Sequence, residues 1–485
     1  MPFVSLWAIL DILVVLFGVF YILIHPREPR SMLAWILTFL LLPILGVGLF
    51  FLLSEPKRNR ARRRFIRKRR GLNPELRKTL GTFRRIHAPE MEENSFPPSL
   101  RKFVKLATRI NDRQPPTGAN RVEIYHNRGA DSWQALLDAV ASAAHHVHLE
   151  YFIFRADSSG EALASLLIEK AKNGVSCRLL LDHLGSWDLP LSFVERLRSS
   201  GVKVAWFMPV LPWRGPNWRF HFNFRNHRKI VVVDGQIAFT GSQNIADEYF
   251  RADTPSGPWI DTHLRLTGPA VYELQEIFIE DWYYATADDI FAEDFFPSLD
   301  VAENSSGQIV QVIPSGPDSD AGIMHHLLLA AISAADYSVV LATPYFVPDW
   351  AMVLTLEAAA LRGVRVRLLL PEKSDHSLAL WAGRSYYREL TESGVEIYEM
   401  GPAFLHSKVG VIDQLWGLVG SANMDQRSFR LNFEITTVLY ESTSLLQLEH
   451  CLVDLIDNSQ RTTASFSGFM QRLKMGVARL VSPLY

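Results

Sequence analysis

Two long apolar runs open the chain. Phe3–Ile24 is 22 residues with a single charge, Asp11, and Met32–Leu53 is 22 residues with none. Each run predicts a helix of about 33 Å, enough to span a bilayer. Only HPREPRS (25–31) separates them, so they are expected to form a transmembrane hairpin over residues 1–56. A cleaved signal peptide fits poorly, since no basic segment precedes the first run and a second follows at once. Beyond about residue 110 the patterning becomes that of an α/β fold. Trp133–Ala144 and Glu161–Lys172 carry helical spacing, while HLEYFIF (148–154) and the buried run Val175–Leu181, ending at Asp182, read as strands.

The succession then repeats. Ala321–Ala334 and Met352–Leu361 are helical, and VVLATPYFV (339–347) is a strand. GVRVRLLLP (363–371) restates GVSCRLLLD (174–182), and GVEIYEM (394–400) restates GVKVAWF (201–207). The pattern predicts two copies of one βα-rich domain, about 111–295 and 305–485, joined by an acidic Ser/Asn-containing segment near 287–308. Gly201 precedes His227 by 26 residues, whereas Gly394 precedes His406 by 12. The first copy therefore holds an insertion, MPVLPWRGPNWRFHFNF (208–224), whose aromatic and basic residues suit a membrane interface or a lipid-lined mouth.

Charge changes the picture at one place. The net charge is -1, yet KRNRARRRFIRKRR (57–70) holds ten Lys/Arg and no acid, leaving 40 basic residues against 51 acidic ones elsewhere. The block lies in a membrane-proximal connector (57–110). By the positive-inside rule it places both ends of the hairpin in the cytoplasm, and it can attract anionic lipid. Asp11, about two turns into the first run, is expected to snorkel toward the interface or to pair with another helix. Two cysteines, Cys177 and Cys451, form no framework, and no Cys/His spacing resembles a zinc site.

The chemistry sits in NHRKIVVVDGQIAFTGSQN (226–244) and its twin FLHSKVGVIDQLWGLVGSAN (404–423). Both fit His-x-Lys-x4-Asp: His227, Lys229, Asp234 and His406, Lys408, Asp413. Gly, Ser and Asn follow each histidine at 14, 15 and 17 residues, giving Ser242 and Asn244, then Ser421 and Asn423. Residues two apart on a strand share a face, so each His/Lys pair projects together. Asp234-Gly235 predicts a hairpin that returns Ser242 and Asn244 beside them as phosphate-binding or supporting groups, next to a helix start. Two imidazoles and two ammoniums around one pocket suit a phosphodiester. The lysines offset charge on five-coordinate phosphorus, one histidine attacks, and the other protonates the leaving alcohol. No metal or cofactor is required. A nucleophilic histidine needs a carboxylate on its other nitrogen. Asp261, in WIDTH, and Glu434, in RSFRLNFE, follow their motifs at similar depth and are expected to orient His227 and His406 respectively. Asp234 and Asp413, at the turns, are expected to act structurally or behind the reacting groups. His145, His325 and His326 are expected to be ordinary core residues.

These residues resemble the phospholipase D superfamily, whose duplicated His-Lys-Asp motif builds one active site between two α/β/α halves with mixed sheets. Within it they are similar to the bacterial cardiolipin synthases. The resemblance includes the paired apolar runs with AWILTFLLLPILG (34–46), WIDTHLRLTGPAV (259–271), TPYFVPD (343–349) and GSANMDQRSFRLNFE (420–434). It implies a phosphatidyltransferase converting two phosphatidylglycerols into cardiolipin and glycerol through a phosphatidyl-histidine. His227 would be the nucleophile and His406 the general acid. It also implies a multi-pass protein of the bacterial inner membrane, with catalytic domains in the cytoplasm, anionic lipids as partners and homo-oligomers admissible. The rival within the superfamily is a phospholipase D that uses water or other alcohols. A nuclease would want a basic face beyond 57–70, and a catalytically dead scaffold would not keep both His/Lys pairs.

Overall fold

In a computed structural model of the chain, the described residues are 2–25, 29–53, 91, 93–111, 114–211, 223–251, 259–298, 307–318, 322–440, 442–462 and 468–482. The basic block 57–70, most of the connector and most of the aromatic insertion lie outside them. Two compact units result, Met1–Arg67 and Lys68–Tyr485, each taken here by itself.

In the first unit, the helix Pro2–Ile24 contains an 18-residue stretch, Trp7–Ile24, of mean hydropathy 2.6, long and apolar enough to cross a membrane. The second apolar run departs from expectation. It is not one 22-residue helix but two, Pro29–Leu41 and Pro43–Leu53. Pro43 has no N–H to continue the first helical ladder and instead opens the next helix. The second helix doubles back on the first, because the Phe50 ring meets Trp35 and Phe39 edge-on, each at 5.3 Å. Gly46 permits this reversal, since a Cβ there would stand 2.8 Å from the Thr38 carbonyl oxygen. Ile22, Phe39, Val47 and Phe50 form the small core of the unit. Hydropathy alone could not separate a span from a fold-back of equal length.

The second unit is built on one mixed sheet of 15 strands. From one edge inward, the first half runs Lys203–Phe207, Ser176–Asp182, His146–Tyr151, Ile230–Val233, Ile237–Gly241, Thr262–Thr267 and Thr117–His126. The second half runs Glu396–Met400, Arg365–Pro371, Ser338–Ala342, Val409–Ile412, Trp416–Gly420, Glu434–Tyr440 and Gln308–Ser315, with Gln460–Arg461 added outside. The order is the same in both. The three outer strands of each seven are parallel, as crossover helices require, and the rest are antiparallel. The halves join where Thr117–His126 pairs antiparallel with Gln308–Ser315. One core cluster spans the join, uniting Ile230, Leu264 and Leu274 with Val312, Val409 and Leu448.

Both expected hairpins form, Ile230 facing Thr240 and Val409 facing Val419. Asp234 and Asp413 turn them with positive φ, 51° and 52°. Each carboxylate accepts three consecutive backbone N–H groups: Ala144, His145 and His146 at 2.7–2.8 Å, and Asp336, Tyr337 and Ser338 at 2.7–2.8 Å. They clamp the hairpin to the start of a parallel strand. Of the two roles expected of them, this clamp is the structural one, and seven extended residues put them roughly 20 Å from the histidines, outside the reacting set. The expected core role of His145 and His326 is corrected, since both are exposed; next to His145 the buried pair is His146 and His148, bonded to Gln275.

Replacing Asp234 by Ala leaves three donors without their carboxylate. We expect a stability loss of about 1–3 kcal/mol, read as a lower thermal midpoint in detergent, with turnover per folded molecule at 25 °C within about twofold of the parent.

Candidate active site

Main-chain pairing between the halves builds the site. Phe404–Leu405 pairs parallel with Trp259–Ile260, Leu405 beside Ile260, so the next residues, His406 and Asp261, fall side by side. Asn226 bridges Phe433 in the same parallel sense, so the next residues there are His227 and Glu434. The His406 amide donates to the Ile260 carbonyl and the His227 amide to the Phe433 carbonyl, both at 2.8 Å.

The rings follow the backbone. His227 Nδ1 lies 2.9 Å from Glu434 Oε2, and His406 Nδ1 lies 2.9 Å from Asp261 Oδ2. The expected pairing is thus crossed, each carboxylate orienting the histidine of the opposite half. Sequence depth suggested pairing within a copy, but the parallel bridges between copies decide it. Ser242 and Ser421 stand behind the carboxylates. The Ser242 hydroxyl donates to Asp261 Oδ1, and the Ser421 hydroxyl to Glu434 Oε2 at 2.5 Å. Ser428 and Asn432, which sequence reasoning left out, donate to Glu434 Oε1 at 2.8 and 3.2 Å. Their signal was present in RSFRLNFE as polar residues before the glutamate. Asn244 is spent on structure, accepting from the Ile153 amide and donating to the Tyr249 hydroxyl. The Asn423 side-chain oxygen is buried without a hydrogen-bond partner among the described residues.

Both lysines are almost wholly buried. Lys229 Nζ donates to the His227 carbonyl at 2.7 Å, and Lys408 Nζ to the His406 carbonyl at 2.6 Å. Lys408 Nζ also lies 3.0 Å from His406 Nε2. Aromatic rings wall the cluster: Phe152 is 4.9 Å from His227, and Trp259 and Tyr249 are 5.0 and 5.4 Å from His406.

Burial sets the protonation states. It holds the Lys229 ammonium well below its ordinary range. It also brings Lys408 down to about 8, although Asp261 and Glu434 pull the other way. Burial, then the Lys408 charge, takes His406 to about 4, and burial lowers His227 despite Glu434. For the carboxylates, burial would raise both, but His227 and Lys229 keep Glu434 low, and His406 and Lys408 keep Asp261 low. At neutral pH the state is therefore a neutral imidazole donating Nδ1–H to an ionised carboxylate. That tautomer puts the lone pair on Nε2, where a nucleophile or general base needs it.

The fold and the duplicated His/Lys/carboxylate site define a phospholipase D-type enzyme, and comparison with known proteins agrees. A family model described as "Cardiolipin synthase, PLD-like domain" matches residues 136–282 and 328–453. The chain is 37% identical to a protein named cardiolipin synthase from Geobacillus sp. (strain WCH70), over 97% of this chain and 92% of that one. It is 39% identical to another of that name from Geobacillus thermodenitrificans (strain NG80-2), over 97% and 92%. In fold it is similar to the crystal structure of a phosphatidylserine synthase from Haemophilus influenzae Rd KW20. That likeness has a TM-score of 0.59 at 14% identity, covering 79% of this chain and all of that one. The chain belongs to the cardiolipin synthase family of the phospholipase D superfamily, and it is an enzyme.

The crossed pairs are separable by experiment. Glu434→Gln should lower the pKa of His227 and leave His406 near its parent value, and Asp261→Asn should do the reverse. Histidine hydrogen–deuterium exchange by mass spectrometry reads both, and each variant should lose about 10²–10⁴-fold in kcat. In the pH profile of kcat/KM, the acid limb should fall below 6.5, because both histidines are depressed and must be neutral at rest. The alkaline limb should fall near pH 8, where Lys408 loses its proton and with it the charge that meets phosphate. In Lys408→Arg that limb should vanish at whatever residual rate remains.

Proposed function

We propose that this chain is a membrane-bound phosphatidyltransferase that makes cardiolipin and glycerol from two phosphatidylglycerols through a phosphatidyl-histidine. The observation that carries this reading is the paired arrangement itself. Two carboxylate-oriented imidazoles and two buried lysines are contributed equally by two halves, matching a double displacement at phosphorus. In the first step Nε2 of His227 attacks phosphorus and the glycerol oxygen leaves with a proton delivered by Nε2 of His406, which takes it from the adjacent Lys408 ammonium. In the second, the terminal hydroxyl of another phosphatidylglycerol gives its proton to Nε2 of His406, which returns it to Lys408, and the oxygen attacks phosphorus as the bond to His227 breaks. One phosphodiester replaces another, so no nucleotide is consumed.

The assignment of roles is supported by an asymmetry. Each histidine is held at Nδ1 by its carboxylate, but the Lys408 ammonium also lies 3.0 Å from Nε2 of His406, suited to supplying and retrieving a proton there. The two-copy boundaries, 111–295 and 305–485, are proposed on the repeated motifs. Membrane attachment is proposed on the span-length helix Pro2–Ile24. The ten basic residues at 57–70 support a cytoplasmic catalytic unit. Because the second apolar run doubles back, that block alone carries the orientation, and a two-span hairpin does not.

Purified enzyme with phosphatidylglycerol vesicles, lacking metal and nucleotide, should yield cardiolipin and glycerol in equal amounts. Phosphatidic acid as the sole product would instead make it a hydrolase. With donor labelled in the phosphatidyl group, His406→Ala denatured in neutral detergent should retain label on protein, and His227→Ala should retain none. The reverse pattern would exchange the two roles.

A further inference from the structure

The helix Phe469–Val481 presents its apolar side outward. Phe469 is 78% exposed and Leu480 80%, with Met470, Leu473 and Val477 also exposed. At 3.6 residues per turn these five fall within an arc of about 100°. Lys474 and Arg472 flank that arc on its two sides, and Ala478, opposite, is buried. From Asn458 to Tyr485 the sequence has four basic residues and no acidic one. A solvated helix would carry the opposite pattern, with its polar side outward.

The helix is also held firmly. Ala478 packs with Ala379 and Ala382 on the helix Ser377–Arg384 and with Val347 on the strand Phe346–Val347. The Lys474 ammonium lies 5.5 Å from the Trp381 ring, and the Arg479 guanidinium 4.2 Å from the Tyr386 ring. Arg479 also pairs with Glu389 at 3.3 Å. The supporting helix exposes Leu378, and the loop before it carries Asp375, which accepts the Tyr345 hydroxyl. Val347 lies in the strand Phe346–Val347, which pairs parallel with Met424–Asp425 directly after Asn423, so the helix is braced on the segment that carries the second Gly-Ser-x-Asn cluster.

We propose that Phe469–Val481 is an interfacial helix that lies in the surface of an anionic bilayer and sets the active-site rim against the lipid it draws from. The apolar arc fits the boundary between headgroups and acyl chains, and the flanking Arg472 and Lys474 fit anionic headgroups. The occupant is thus a lipid surface. A second copy of the chain would offer no such uniform negative charge, since outside 57–70 its 51 acidic residues are mixed with 40 basic ones. The activity arm of the test rests on the phosphatidyltransferase reading, while the spectroscopic arm does not.

The test uses the full chain with Cys451→Ala and Leu473→Cys, the latter carrying an environment-sensitive fluorophore, reconstituted in vesicles. With phosphatidylglycerol present, emission should shift to the blue. Aqueous iodide should quench it at least fivefold less than in phosphatidylcholine alone, and an acyl-chain nitroxide should quench it. Equal iodide quenching in both vesicles would overturn the proposal. So would protection that rises with the protein-to-lipid ratio, which would indicate a second copy on this face. In the activity arm, Phe469→Ser/Leu473→Ser/Leu480→Ser should lower turnover on vesicles about tenfold or more. It should leave the rate on short-chain, monomerically dispersed phosphatidylglycerol within twofold. Loss on both substrates, or on neither, would also overturn it. If the parent forms no cardiolipin at all, the function fails while the fluorescence result still decides the docking.

Discussion

Each reactive imidazole takes its acceptor from the other half of the catalytic unit, and most of what the site can do depends on that exchange. The two pairs span 207 and 145 residues of sequence, yet both arise from the same local event. A parallel main-chain bridge places the residue before each histidine beside the residue before the opposite carboxylate. A half on its own would hold a histidine with a bare Nδ1 and a carboxylate with no imidazole. Closing the join between the halves and completing the active site are therefore one step. A sheet that runs through the join, with a shared core beneath it, gives that step a stable footing.

The exchange also answers an electrostatic difficulty. Two lysines buried without counterions would be expensive, and burial does depress both of them. Asp261 and Glu434 supply the compensating negative charge while serving the histidines. Hydroxyls and an amide satisfy the remaining carboxylate lone pairs: Ser242 for Asp261, and Ser421, Ser428 and Asn432 for Glu434. The serines of the Gly-Ser-x-Asn cluster thus stabilise the carboxylates, while Asn244 braces the backbone behind them. A second ionic network, Arg228 with Asp281 at 2.5 Å, lies just behind His227 and stiffens that strand from the other side.

Much of this was legible in the sequence. The paired His-x-Lys-x4-Asp patterns located the histidines and lysines. The turn chemistry of Asp234-Gly235 located the hairpins, and the repeated strands foretold two halves of equal topology. What stayed illegible has a physical cause in each case. Offset along the chain cannot say which histidine a carboxylate meets when strands pair between copies, so Asp261 and Glu434 were matched the wrong way round. The turn position of Asp234 and Asp413 pointed to a structural role, but not to the three backbone donors that each would hold. A 22-residue apolar run has the composition of a span whether it runs straight or reverses at Pro43. The outward apolar face of Phe469–Val481 is a matter of which side docks, and periodicity alone gives only that two sides exist.

The remaining step concerns water. A phosphatidyl-histidine is competent to react with water as well as with an alcohol, so the outcome turns on what surrounds the imidazoles. Phe152 stands edge-on to His227, and Trp259 and Tyr249 flank His406, so the flanks of both rings are aromatic. On the proposed reaction the acceptor brings its own phosphodiester, and the site has two lysines, one for each phosphodiester in play. An alcohol anchored by that second charge reacts as if intramolecular, with effective molarities that can reach about 10⁵–10⁸ M. Water gains nothing from the second lysine. Duplication would then supply more than a second histidine: it would provide the second cationic seat that favours transfer between lipids over hydrolysis.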